Sequence, residues 1–401
     1  MSDQKKSVFI TKAMLEGYRS IQHAEVELSA GLNIIIGKNG SGKTNVLNFL
    51  YPFVSGRFDN EIRFAKGIIR LQGVKDYIVS IEPVADIFGT HEEPEPYFAL
   101  QISGKPVNFS EYEETRQIAD WFEVFTKIEQ QEQTLIGSEF VRHGLASTLG
   151  LWTEPLHSSI KLKVKGKIHP QEIGRLLAFG LKDFYGNNFI RSFRAIFSES
   201  KAPIQSSTFK DALIEKTNEL SKRLAEVLKG YSPISDVRLS QDTVVSYSEQ
   251  SNEMSIRNLT FEFYSENSWK SFAHLSDGTK RIVFMLSELS NHSFTSDISA
   301  VSKIHFIEEP ELGIHPHQLH LLMSFLKEQS IDQQIIITTH SPQVLDILGI
   351  DELDKIILCE HDSEKGTQLR HMTDEEKETA TKYMEKMYLS DFWRYTDFND
   401  K

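Results

Sequence analysis

The chain has 401 residues, 39% hydrophobic and 25% charged, which is ordinary for a globular protein with one large core or two. No apolar run approaches the roughly 18 residues of a membrane span, and no charged start leads into a short apolar stretch, so a membrane protein and a secreted one are both disfavoured and the cytosol is expected. A net charge of −13 argues against coating nucleic acid by charge alone, and the single cysteine, Cys359, excludes an internal disulfide.

In chain order, Phe9–Leu15 and Ala24–Leu28 read as two strands joined by a tight turn at Gly17-Tyr18-Arg19-Ser20, a hairpin able to cover a ligand. Leu32–Ile36 follows as a short apolar run of the kind a buried parallel strand shows. Then comes GKNGSGKT, Gly37 to Thr44, which meets the phosphate-loop pattern G-x-x-x-x-G-K-[ST] at every fixed position. From Asn45 to Tyr51, Val46, Leu47 and Leu50 fall at helical spacing, so strand, glycine loop and helix N-terminus succeed one another. The glycines let backbone N–H groups turn inward around a pyrophosphate, and the helix dipole favours its charge. The expected phosphate-binding set is Gly37, Asn39, Gly40, Ser41 and Gly42 with Asn45. Lys43 can reach the β and γ phosphates, and Thr44 can hold Mg²⁺ through its hydroxyl; ATP with Mg²⁺ is the expected ligand pair.

Tyr77–Glu82 and Tyr97–Ser103 read as further strands and point to an antiparallel sheet beside the parallel one. This first part, residues 1–107, gives way to a mainly helical insert over 108–234. Its expected helices are one capped by Ser110 with Glu113 and carrying Ile118, Trp121, Phe122 and Phe125, one opened by Pro170, and one from Ser207 to Leu228 ended by Gly230. Between them Ile160–Lys167 alternates with period 2, which as a strand puts Lys161, Lys163, Lys165 and Lys167 on one face. Two readings stay open for that face: contacts to nucleic-acid phosphates, or an edge strand guarded by lysines against aggregation.

Strand alternation returns at Val244–Tyr247, Met254–Ile256 and Leu259–Phe263, opening a second half over 235–372. Leu275–Arg281, LSDGTKR, sets Ser276, Asp277 and Gly278 at the start of an apolar-periodic helix, where a hydroxyl, free N–H groups and the positive dipole end suit a γ-phosphate; an ordinary N-cap at Ser276 is the plainer alternative. Ile304–Pro316 is an apolar strand ending in Glu308 and Glu309, with Glu308 assigned to the metal and Glu309 to general base. Gln334–Ser341 is a second apolar strand, ending in His340, which can donate to the γ-phosphate or simply cap the next turn. Cys359 lies in the apolar run Lys355–Cys359 and reads as a buried small residue rather than a nucleophile. Residues 373–401 read as one charged helix, Thr373–Tyr388, followed by an aromatic segment holding Trp393, Tyr395 and Phe398.

The order of these motifs resembles the ABC-type ATPases, and within them the SMC, RecF and OLD-like branch; the forms LEGYRSI, LSDGTKR and EEPELGIHP are most similar to OLD-like ATPases of bacterial phage-defence systems. The resemblance covers roughly residues 8–85 and 235–372 and implies an α/β ABC-type head, with a mixed sheet and an antiparallel subsheet, split by the insert. It further implies that Ser276 and Gly278 reach the nucleotide of a second subunit, that Glu309 activates water and that His340 senses the γ-phosphate. The implied protein is an ATP-hydrolysing switch, a homodimer or an assembly of dimers, in an anti-phage complex that controls a separate nuclease effector, since no room is seen for a Toprim nuclease domain after the last strand. A RecF-like repair ATPase that clamps DNA is the first rival; a transporter motor subunit and a scaffold with a structural ATP site are others. The glutamine loop of such enzymes has only Gln72 as a candidate.

Overall fold

The computed structural model describes residues 9–55, 65–72, 77–84, 97–102, 105–106, 138–143, 160–163, 167–168, 204–205, 208–248, 250–251, 253–290 and 302–395. Its strands begin with β1 (Phe9–Tyr18), β2 (Ile21–Glu27), β3 (Leu32–Ile36), β4 (Lys66–Gln72), β5 (Tyr77–Val84), β6 (Tyr97–Ile102), β7 (Lys105–Pro106) and β8 (Ser138–His143). They continue with β9 (Ile160–Lys163), β10 (Lys167–Ile168), β11 (Ile204–Gln205), β12 (Asp236–Leu239), β13 (Val244–Ser248), β14 (Glu253–Arg257), β15 (Phe261–Ser265) and β16 (Ser268–Ser271). The last four are β17 (Ser302–Glu308), β18 (Gln334–Thr339), β19 (Ile356–Asp362) and β20 (Gly366–His371). The described helices are α1 (Lys43–Ser55), α2 (Phe209–Tyr231), α3 (Asp277–Leu289), α4 (Pro316–Gln329), α5 (Asp374–Met384) and α6 (Leu389–Tyr395).

The chain divides into two compact units, one of Met1–Gly144, Ala300–Glu311 and Leu326–Lys401, the other of Leu145–Ser299 and Leu312–Phe325. The first unit is built on a 12-stranded sheet in the order β7-β6-β5-β4-β1-β2-β20-β19-β3-β18-β17-β8. From β19 to β8 all neighbours run parallel, whereas from β7 to β20, and between β20 and β19, they run antiparallel. The mixed sheet with an antiparallel part is therefore as expected. The pattern follows from composition: β3 (LNIII) and β18 (QIIITT) are buried at every position, as strands covered on both faces must be, while β2 alternates buried and exposed. Two polar side chains inside this core are satisfied locally. Asn33 donates to the carbonyls of Ser29 and Gly31, and Gln334 bonds both backbone groups of Ile10. Val46, Leu47, Phe49 and Leu50 of α1 join Ile35, Phe306 and Ile336 in one apolar cluster, which seats the helix on the sheet.

Strand β8 falls inside the segment read as insert, yet it pairs in parallel with β17, Ile307 opposite His143. Its sequence, SEFVRH, has neither the alternation nor the continuous apolarity that marks a strand by itself.

The second unit holds the sheets β12-β15-β16 and β13-β14-β9 and the pair β10-β11. Helix α2 buries Phe209, Leu213, Leu220, Leu224 and Leu228 at helical spacing, and Tyr231 meets Phe325 edge-on at 5.0 Å between ring centroids. It does not stop at Gly230. It ends because Ser232, which precedes Pro233, is extended (φ −146°, ψ 169°) and turns its N–H and hydroxyl back on the Leu228 carbonyl. The expected helices beginning near Ser110 and at Pro170 lie outside the described residues. Of the lysine-rich run, Lys161 and Lys163 stand in β9, the edge of its sheet beside β14, and Lys167 belongs to β10, paired with β11. Lys165 lies outside the described residues.

The C-terminal part is also two helices rather than one. Thr373 caps α5, with Glu376 completing a capping box, and α6 is tied down separately. Ser390 donates its N–H and hydroxyl to the two carboxylate oxygens of Asp346 at 2.9 Å each, and Phe392 is buried against Tyr383, ring centroids 5.2 Å apart. At least the start of the aromatic segment therefore packs on the core.

Candidate nucleotide site

The phosphate loop hangs between β3 and α1, with Lys43 and Thr44 already in the first helical turn. Its glycines are required for two different reasons. Gly37 is pressed on a neighbouring strand, so that a Cβ there would sit 2.1 Å from the Cys359 carbonyl oxygen of β19; Gly40 has open space but a left-handed backbone, φ +81°. Lys43 is 6% exposed and donates to the carbonyls of Gly37 (2.8 Å) and Lys38 (2.9 Å), so the ammonium is held within the loop it serves. Burial pushes its pKa below the usual lysine range, and the charges of Glu309, Glu311 and Glu308 oppose that shift. Cys359 is buried, burial pushes its thiol up, and its sulfur lies 3.5 Å from the Ser41 carbonyl. It is a packing residue behind the loop.

Behind the loop stands the β1–β2 hairpin tip. The Ser20 hydroxyl lies 2.7 Å from that of Thr367, which donates to the Ser41 carbonyl at 3.0 Å, and the Asn45 amide donates to Ser20 at 2.7 Å. The hairpin expected to cover the nucleotide thus braces the loop and the start of α1, and Asn45 turns its side chain to that brace. Arg19, at φ 50°, stacks over Tyr18, 5.1 Å from the ring centroid. Gln72, the candidate for the glutamine loop, is exposed at the end of β4.

Strands β17 and β18 are parallel neighbours and bring their carboxyl ends to the same loop, the usual place for a ligand on such a sheet. Thr44 donates its hydroxyl to Glu308 at 2.5 Å, which joins the two residues expected to hold the metal. A hydroxyl and one carboxylate are an all-oxygen pair that suits Mg²⁺, which takes few protein ligands and completes its shell with water and phosphate. Among the described residues no cluster of three or more His, Cys, Asp or Glu has metal-site geometry. Glu309 has a left-handed backbone, φ 47°, and donates its N–H to the Thr338 carbonyl at 2.8 Å. That conformation costs a non-glycine residue about 1–2 kcal/mol and is the kind of strain that functional sites retain. His340 Nδ1 lies 3.3 Å from Glu309 Oε1 and 3.5 Å from Glu311 Oε1.

Glu311, which the sequence does not single out, joins them. It accepts from the Thr339 hydroxyl at 2.6 Å and from the N–H groups of His340 and Ser341 at 3.3 Å each. The spacing E-E-x-E after an apolar strand is the only sequence signal for it, and that signal does not separate it from a solvated loop.

The structure gathers Lys43, Thr44, Glu308, Glu309 and His340 in the first compact unit. Ser276, Asp277 and Gly278 belong to the second. There Ser276 caps α3, its hydroxyl accepting from the Thr279 N–H, and Asp277 pairs with Lys280 at 3.4 Å. Gly278 packs so closely on the loop after β17 that a Cβ would lie 2.3 Å from the Gly313 oxygen, and Arg281 donates to the Leu312 carbonyl at 3.3 Å.

Parts of the chain and its fold are similar to known proteins. Residues 9–140 match a family model described as "AAA ATPase domain" and residues 172–346 one described as "AAA domain, putative AbiEii toxin, Type IV TA system". An Smc head bound to the C-terminal winged-helix domain of ScpA aligns over 92% of this chain and 99% of its own, TM-score 0.53 at 15% identity. An Smc head with an extended coiled coil, bound to the C-terminal domain of ScpA from Pyrococcus furiosus, aligns over 94% and 100%, also at 0.53 and 15%. The chain has the ABC-type ATPase head fold of Smc proteins. A shorter stretch of the chain is similar in sequence to the DNA replication and repair protein RecF: 36% identity over 59 residues in Cronobacter sakazakii and 42% over 48 in an Enterobacter species. Those stretches span 15% and 12% of the chain and only 16% and 13% of the relatives. The head carries no described helix long and apolar enough to cross a membrane.

Proposed function

We propose that this chain binds and hydrolyses ATP as a homodimeric switch and that the switch governs a separate effector protein, a nuclease, in bacterial defence against phage. The reading rests on one geometric fact: the hydroxyl of the phosphate loop touches one carboxylate of the acidic strand, while the next carboxylate, on a strained backbone, faces a histidine. The loop N–H groups and Lys43 bind the β and γ phosphates. Thr44 and Glu308 hold Mg²⁺, which when bound neutralises phosphate charge. Glu309 takes a proton from the attacking water as its oxygen bonds to the γ-phosphorus and the bond to the ADP oxygen breaks. His340 donates to the γ-phosphate oxygens as they leave. Ser276, Asp277 and Gly278 at the start of α3 serve the nucleotide of the partner subunit, which makes turnover depend on dimerisation.

The defence assignment draws support from the OLD-like forms of three motifs and from the toxin–antitoxin description of the family model over residues 172–346. Control of a second protein draws support from the solved Smc heads, which carry a bound ScpA domain. The RecF similarity favours one other reading, a repair ATPase that clamps DNA, in which Lys161 and Lys163 on edge strand β9 contact phosphates. ATP turnover measured alone, with duplex and gapped DNA, and with a co-purified partner separates them. Stimulation by DNA alone supports the repair reading; stimulation by the partner with no DNA cleavage by this chain alone supports the switch. A strictly monomeric particle in light scattering that turns over ATP at the full rate would refute the dimer.

A further inference from the structure

Three donors of the turn after β18 converge on a single oxygen of Glu311, the Thr339 hydroxyl at 2.6 Å and the N–H groups of His340 and Ser341 at 3.3 Å. The same oxygen lies 3.5 Å from His340 Nδ1, with Glu309 on the same nitrogen at 3.3 Å. The Glu311 side chain is only 9% exposed, and its other oxygen, Oε2, is buried with no hydrogen-bond partner among the described residues. A turn that needed only an acceptor could be served by an amide carbonyl, without an ionised group nine-tenths buried and one of its oxygens unmet. What a carboxylate alone adds is negative charge beside His340.

We propose that Glu311 is a positioning residue for the γ-phosphate histidine: it fixes the turn that carries His340 and, with Glu309, holds the imidazole through an Nδ1 hydrogen, leaving Nε2 for the terminal phosphate. A nitrogen facing two carboxylates carries a hydrogen, so the ring's orientation is set before ATP arrives, and donation to the phosphate then uses a second hydrogen, on Nε2. The proposal rests on the ATP-hydrolysis reading and goes beyond it by assigning a third carboxylate to the machinery.

The test uses the full chain with Mg–ATP. Glu311→Gln keeps an acceptor for the turn but removes the charge; it should leave ATP affinity within about twofold and lower kcat by about tenfold or more, as misorientation of a reacting group does. In a His340→Asn background the same change should add less than about twofold, because both act through one group. A kcat for Glu311→Gln within twofold of wild type, or a loss that multiplies fully with His340→Asn, overturns the proposal. Lys43→Ala and Glu309→Gln run alongside. If both turn over like wild type, the ATPase reading has failed and this proposal with it; if both are inactive while Glu311→Gln is normal, only the role of Glu311 falls. Should Glu311→Gln not fold, ¹⁵N spectra of histidine-labelled wild type decide the matter, His340 being assigned as the resonance lost in His340→Asn. A hydrogen on Nδ1 is expected, and a neutral ring protonated only on Nε2 overturns the proposal.

Discussion

Replacing Gly37 by alanine should damage the phosphate loop far more than replacing Gly40, for reasons that can be read off the contacts. At Gly37 the added Cβ would stand 2.1 Å from the Cys359 carbonyl oxygen and 3.1 Å from its carbon, against a closest normal approach of 3.0 Å. The carbonyl belongs to β19, which is paired on both sides, with β3 in parallel and β20 in antiparallel register. It cannot swing aside, so the loop must move by roughly the missing ångström. Overpacking of this kind costs about 1–3 kcal/mol, which in a domain of some 150–250 residues lowers Tm by about 2–4 °C per kcal/mol. A one-ångström shift of the groups that orient a phosphate costs on the order of 10²-fold in rate. Gly40 meets nothing within 4 Å and only its φ of +81° resists a side chain, at about 1–2 kcal/mol. Asparagine tolerates that conformation, so Gly40→Asn should be milder than Gly40→Ala, whereas Gly37→Asn should be no better than Gly37→Ala. Scanning calorimetry with ATP titration measures both. Wild-type Tm and affinity in Gly37→Ala would refute the steric argument.

Lys43→Ala should abolish measurable ATP binding in titration calorimetry while leaving the far-ultraviolet spectrum unchanged, because among the described residues the ammonium bonds loop carbonyls alone. At Glu352, burial alone would raise the carboxyl, but the Gly349 N–H, Lys327 and Lys355 outweigh it and hold it at about 2, below its usual 4.5. A depressed carboxylate contributes stability that is present above pH 4.5 and lost as pH falls through about 2, so Glu352→Gln should cost on the order of 1–2 kcal/mol at pH 7, allowing for solvent screening, and the difference from wild type should shrink below pH 4.5 and be gone only below about pH 2 in urea unfolding. Ser390→Ala removes the hydroxyl that meets one carboxylate oxygen of the partly buried Asp346, leaving only the backbone N–H of the two donors, and should loosen α6 by about 1–3 kcal/mol, seen as faster amide exchange across Leu389–Tyr395.

The parts of this molecule legible in its sequence are those whose chemistry is local. GKNGSGKT announces the loop, the continuous apolar runs before Glu308 and before His340 announce buried parallel strands, and Ser276 announces a helix start. What stayed hidden depends on partners far along the chain. Glu311 acquires its meaning from a turn 28 residues away, and Ser390 from Asp346, 44 residues away. β8 is a strand because β17 offers it an edge, not because its own sequence demands one. Local chemistry also misled: Gly230 looked like the end of α2, but the residue before Pro233 ends it.

The claim on which the account turns is that Glu309 removes the proton of the attacking water. Steady-state phosphate release by Glu309→Gln, measured beside ATP affinity, tests it directly. The amide fills the same space without accepting a proton, so affinity should stay near wild type while kcat falls on the order of 10²-fold or more. Turnover at the wild-type rate in Glu309→Gln, with loss instead in Glu308→Gln, would contradict it and exchange the roles of the two carboxylates.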